Sequence, residues 1–113
     1  MNVNLERFGA MPESAAAVRL IALAAGECVT NCVKHANGNE VRVHISRSEG
    51  RCTVAFTNNG KNPAGAVREG VGLSVLRKTV ENAGGTMTVH SAPAFKLVIE
   101  WTEEEMEKKC SVR

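Results

Sequence analysis

The sequence predicts an α+β fold, a two-layer α/β sandwich in which helices cover one face of a mixed, mostly antiparallel sheet. Three observations predict it. Apolar residues are dense from Ala15 to Val33, in a stretch with no glycine before Gly26 and no proline between Pro12 and Pro63. Val41, Val43 and Ile45 alternate with Arg42, His44 and Ser46, and Cys52, Val54 and Phe56 alternate with Thr53, Ala55 and Thr57, the period of half-buried strands. Leu73, Leu76, Val80 and Ala83 recur at helical spacing.

Taken in order, Val3 and Leu5 alternate like a strand at the start of the chain, as in a piece of a longer protein. Pro12 and Glu13 suit the first turn of a helix, and Asn37, Gly38 and Asn39 supply left-handed stop residues, so the first helix should run from about Glu13 to Ala36. Ser48, Glu49 and Gly50 suit a hairpin turn between the next two strands. Asn58 to Gly72 has glycines, a proline and no periodicity, which marks a loop free to lie over a ligand. The second helix then runs until Gly84 and Gly85 end it. Met87 and Val89 alternate in one further strand, and Phe95, Leu97, Ile99 and Trp101 share a face of the last. Residues 1–101 therefore read as one domain, and the polar stretch 102–113 is expected to fray.

A chain of 113 residues has room for one core and one site. Its 43% hydrophobic and 23% charged residues fit an ordinary folded domain. A net charge of +2 with dispersed Lys and Arg does not point to nucleic acid or an anionic membrane as the main partner. The apolar run Leu20 to Val33 is short and interrupted by Glu27, Thr30 and Asn31, so it is not read as a membrane span. Of the four cysteines, Cys28 and Cys32 fall four apart on the first helix among apolar neighbours, a core pattern. With no zinc spacing and no signal peptide, reduced thiols in a cytoplasmic protein are the simplest account.

Chemistry concentrates in E-C-V-T-N-C-V-K-H-A, residues 27–36. Glu27, Asn31, Lys34 and His35 share one helix face, while Cys28, Val29, Cys32 and Val33 point elsewhere and can be buried. An amide oxygen suits magnesium, a lysine offsets phosphate charge and a carboxylate accepts a proton, so the ridge suits a triphosphate. A merely solvated face explains the spacing equally well. Gly70-x-Gly72-Leu73 sits where a loop becomes a helix, whose free amides can hold phosphate oxygens, although two glycines there are more often a flexible lead-in. Asn58-Asn59-Gly60 ends a strand where a side-chain amide can reach a purine edge, or simply forms a turn.

In combination these segments resemble the GHKL ATPase superfamily, most closely the catalytic and ATP-binding domain of bacterial sensor histidine kinases, over nearly the whole span from Glu13 to Trp101. The resemblance implies the Bergerat fold and the binding of ATP with magnesium. E-x-x-x-N-x-x-K-H-A looks like the N box: it implies that Asn31 coordinates magnesium, that Glu27 acts as or orients a base, and that Lys34 and His35 lie near the phosphates. Gly70, Gly72 and Leu73 match the G2 box that closes a lid on the phosphates, and Ala83-Gly84-Gly85-Thr86 the turn that follows. Asn58 and Gly60 stand at the G1 box, where the family has Asp-x-Gly and the aspartate accepts a hydrogen bond from the adenine amine. The asparagine makes weaker or less selective adenine recognition expected. Ala94-Phe95 replaces the late Gly-Thr, and the lid, Lys61 to Gly70, is short, with Lys61 and Arg68 as its basic residues.

The implied function is transfer of the γ-phosphate to a histidine on a separate dimerisation domain, upstream of a response regulator, in a cytoplasmic domain whose parent protein can be membrane-anchored elsewhere. His44 and His90 are expected to be exposed strand positions, and no histidine here has the flanks of a phospho-acceptor. Two other readings are an anti-sigma-factor-type serine kinase, disfavoured by Lys34-His35-Ala36, and a nucleotide-binding pseudokinase that regulates by contact, which would account for Asn58.

Overall fold

The structure, a computed structural model, describes residues 2–8, 14–60, 70–90 and 95–110, except the side chains of Arg7, Phe8, His35, Lys109 and Cys110. Its elements in chain order are β1 (Asn2–Phe8), α1 (Ala15–Asn31) continued by a π-helical turn (Cys32–Ala36), β2 (Glu40–Ser48), β3 (Arg51–Asn58), α2 (Val71–Asn82), β4 (Thr86–His90), β5 (Lys96–Thr102) and α3 (Glu103–Cys110). The strands make one sheet in the order β1-β2-β3-β5-β4. Only β1–β2 is parallel; the other pairings are antiparallel, as the alternation predicts.

Register puts one hydrophobic row of each strand on the same face. Val43 pairs with Phe56, and Phe56 with Leu97, so Val41, Val43 and Ile45 join Cys52, Val54, Phe56, Leu97, Ile99 and Trp101 beneath the helices. α1 contributes Ala17, Leu20, Ala24 and Cys28 to this core, and α2 contributes Leu73, Leu76 and Val80. His44 and His90 are exposed on the opposite face, as expected. Val3 pairs with Val41 and Leu5 with Val43, yet both remain about half exposed, because α1 lies over β2 and β3 and α2 over β4, leaving the β1 edge uncovered. By length and composition alone α1 could cross a membrane, but its inward row is packed on the sheet.

α1 starts at Ala15, where the Ser14 hydroxyl accepts the Ala17 N–H at 3.3 Å; Pro12 and Glu13, the expected start, lie outside the described residues. Its last turn widens into a π turn that closes on Asn37, in the left-handed region at φ 51°, the stop residue the sequence supplies.

The expected fraying after Trp101 is corrected. Residues 103–110 form α3, and Met106 is only 2% exposed in the core. The Thr102 hydroxyl accepts the Glu105 N–H at 3.1 Å, three glutamates occupy the first turn where the helix dipole favours negative charge, and Arg47 grips Glu103 with two hydrogen bonds. That guanidinium holds the Glu103 carboxyl below its usual range.

Candidate functional site

The polar stripe divides in the structure. Glu27 and Asn31 are half-buried on α1, whereas Lys34 is exposed on the π turn. The backbone of His35 is in the same turn; its side chain lies outside the described residues. Cys28 and Cys32 are buried as expected, but Val33 is 56% exposed and Val29 only partly covered, because the π turn carries more residues per turn and rotates Val33 off the sheet. Such single π turns inside α-helices are frequent at functional sites. Burial pushes the Cys28 thiol up to about 12, and the neighbouring Glu27 carboxylate adds to the shift, so this cysteine is an inert core residue.

Gly72 brings the glycine loop to the stripe. A β-carbon on Gly72 would lie 2.1 Å from Glu27 Oε2 and 2.6 Å from its Cδ, so the Glu27 carboxylate occupies the space that any other residue would fill. Two segments separated by the length of the sheet's central hairpin thus meet at one carboxylate. α2 begins one residue earlier than the loop's expected end: Gly70 is its N-cap without a side-chain hydrogen bond, and Gly72 lies in the first turn. As at the start of any α-helix, its first backbone N–H groups have no partner from their own helix, and the turn contains no acidic residue. Leu73 is buried and anchors the turn to the core. Of the expected lid, Lys61, Arg68 and the rest of 61–69 lie outside the described residues, as does Ala94 of the Ala94-Phe95 departure.

At the other end of the stripe, Gly60 fixes β3 against the π turn. A β-carbon there would lie 2.4 Å from Ala36 Cβ and 2.5 Å from its carbonyl oxygen. Asn58 continues the helix-facing row of Cys52, Val54 and Phe56, which turns its side chain to the layer between sheet and helices, and its Oδ1 accepts the Gly60 N–H at 2.9 Å. Asn59 was not singled out by its sequence context, yet it pins the junction. Its Oδ1 accepts the N–H groups of Asn39 and Glu40, each at 3.0 Å, and its Nδ2 donates to Asn39 Oδ1 at 2.7 Å. The facing Asn-Gly-Asn and Asn-Asn-Gly turns are the signal that could have found it.

The Gly72–Glu27 and Gly60–Ala36 contacts lie at the two ends of the stripe. From Glu27 to Ala36 the helix climbs about 13 Å at roughly 1.5 Å per residue, a separation that an extended nucleoside triphosphate can bridge. Among the described residues there is no cluster of three or more His, Cys, Asp or Glu that could hold a metal.

The profile of the histidine kinase-, DNA gyrase B- and HSP90-like ATPases matches residues 16–105, and the chain belongs to that family. The nitrate/nitrite sensor protein NarQ of Escherichia coli is 36% identical over 69 residues, 55% of this chain and 12% of NarQ. The sensor histidine kinase YxjM of Bacillus subtilis is 30% identical over 74 residues, 66% of this chain and 18% of YxjM. The chain thus spans less than a fifth of these relatives. Among solved structures, the blue-light activated histidine kinase of Erythrobacter litoralis superposes with a TM-score of 0.72 at 20% identity, over 93% of this chain and 38% of that one. The histidine kinase AdeS of Acinetobacter baumannii gives 0.68 at 12% identity, over 89% and 53%. The fold is therefore that of a GHKL ATPase domain of the histidine kinase kind, as its motifs indicated.

Proposed function

We propose that this domain binds ATP with magnesium along the stripe and presents the γ-phosphate to a histidine on a separate dimerisation domain, with a response regulator as the eventual recipient. The observation that carries the reading is the contact of Gly72 with the Glu27 carboxylate, which brings the glycine-led amides of α2 to the one half-buried acid of the stripe. In this reading the α2 amides around Gly70, Gly72 and Leu73 hold phosphate oxygens, and Lys34 and His35 offset their charge. Asn31 would supply a neutral oxygen to a magnesium ion, a hard cation suited to oxygen ligands. The metal, when bound, neutralises charge on the phosphates during transfer.

Glu27 acts as or orients the base that takes the proton of the attacking imidazole. Gly72 leaves room for this carboxylate beside the first turn of α2, and placing it there is the protein's main contribution where chemistry is positioning. At the far end, Asn58 and Gly60 meet the base. The family and the fold support ATP use, and the named relatives support a sensor kinase context, with the domain working in the cytoplasm whether or not its parent is anchored in a membrane.

The test is a mixed-component phosphotransfer assay with γ-labelled ATP and a separately purified dimerisation domain bearing the acceptor histidine. Label should appear on that domain in acid-labile, base-stable form. Glu27→Gln should cut the rate by a factor on the order of 10²–10⁴, the usual contribution of general base catalysis, while leaving ATP affinity nearly unchanged. Unaltered transfer by Glu27→Gln would overturn the assignment of that residue.

A further inference from the structure

The end of β3 carries an asparagine whose hydrogen bonding determines which of its atoms a ligand can meet. Asn58 Oδ1 accepts the Gly60 N–H at 2.9 Å. A backbone N–H is only a donor, so the oxygen must face it; turning the amide over would set Nδ2 against Gly60 N–H, two donors in contact. Gly60 is itself packed closely against Ala36. The turn beyond it is held as well, since Asn59 is bound to Asn39 and Glu40 by four hydrogen bonds including its own N–H to Glu40 O at 3.1 Å. The amide is therefore oriented with one lone pair of Oδ1 on Gly60 N–H and with Nδ2, a donor, as its other branch. Among the described residues the hydrogen bond shown for the Asn58 side chain is the one that Oδ1 accepts from Gly60, and the side chain is partly exposed.

A carboxylate in the same place would present an acceptor on both branches. Adenine offers an amine, a donor, at position 6, and meets an acceptor well and a donor badly. Guanine and hypoxanthine carry an oxygen at position 6, which is an acceptor and matches Nδ2. A site built to hydrogen-bond one partner discriminates strongly against an analogue of the wrong polarity, because a desolvated donor facing a donor leaves both unpaired.

We propose that Asn58 removes selection for a 6-amino purine, so that the site takes 6-oxo purine nucleoside triphosphates at least as well as ATP. The inference rests on the reading of this site as a nucleotide site with Asn58 at the base, and concerns only which base it admits.

ITP is the discriminating probe, since it differs from ATP only along the edge that bears position 6. Dissociation constants of magnesium ATP and magnesium ITP are measured by calorimetry for the wild-type chain and for Asn58→Asp, which keeps the acceptor for Gly60 N–H and so keeps the turn. The wild type should bind ITP as tightly as ATP or more tightly, and Asn58→Asp should move the ratio about tenfold or more toward ATP. Tighter binding of ATP than ITP by the wild type, with a ratio unmoved in Asn58→Asp, overturns the inference and leaves the nucleotide site standing. Failure of both proteins to bind either triphosphate overturns the nucleotide reading itself, and this inference with it.

Discussion

Replacing Gly72 with alanine should damage function far more than stability, and the structure supplies the reason. The new methyl would start 2.1 Å from Glu27 Oε2. Non-bonded heavy atoms settle near 3.5 Å, so the carboxylate must retreat by roughly 1 Å or more. It can do so, because it is the far end of a flexible side chain, and alanine is favoured over glycine inside a helix by about 1 kcal/mol. The net change in stability should stay within about 1 kcal/mol, or on the order of 4–8 °C in Tm for a domain of this size. A displacement of about 1 Å at a positioned group can cost about 10²-fold in rate, so phosphotransfer should fall by roughly that factor. Gly60→Ala is the control. Its methyl would meet the Ala36 carbonyl oxygen at 2.5 Å and Ala36 Cβ at 2.4 Å, backbone and a β-carbon that cannot swing aside, with a cost of about 1–3 kcal/mol or more. Melting curves and transfer rates for both variants check the pair. The reasoning is refuted if Gly72→Ala transfers phosphate like the wild type, or if it melts below Gly60→Ala.

Two further outcomes follow from the core. Met106→Ala should lower unfolding free energy by about 2–5 kcal/mol in a denaturant titration, as for other buried methionines, whereas a frayed terminal segment would show no change. The Cys28 thiol, raised to about 12 by burial, keeps its proton in the folded state while the unfolded chain loses it near pH 9. Stability from this group is therefore complete below about pH 9 and declines as pH rises toward 12, by up to about 1.4 kcal/mol per pH unit. Cys28→Ala should flatten that part of the curve, and the chain has no tyrosine to confuse the comparison.

The sheet was legible because each strand buries one face only, so Val41, Val43 and Ile45, or Leu97, Ile99 and Trp101, advertise their register. Gly60 and Gly72 of the proposed site stood out for a different reason: a neighbour leaves no room for a side chain at either. What the sequence reading missed was local. α3 announces itself through Thr102 followed by Glu105, acids in its first turn and a Glu104–Lys108 pair, but its single buried residue, Met106, gives no periodicity to read. The π turn also has no composition of its own. It arises where the helix must close on Asn37 while Cys32 and Ala36 stay buried, and it is what turned Val33 outward. Asn59 was overshadowed by Asn58, since its role depends on a turn twenty residues away in sequence.

Nucleotide binding through the stripe is the central claim, and thermal denaturation with magnesium and ATP tests it most directly. A ligand held by the folded state alone stabilises it by about 2.7 kcal/mol at a hundredfold excess over Kd. Millimolar magnesium ATP should therefore raise Tm by several degrees, the rise should shrink when magnesium is removed, and Asn31→Ala should abolish the magnesium-dependent part without lowering the Tm of the free protein appreciably. No shift with any purine triphosphate, or a shift indifferent to both magnesium and Asn31, would contradict the account.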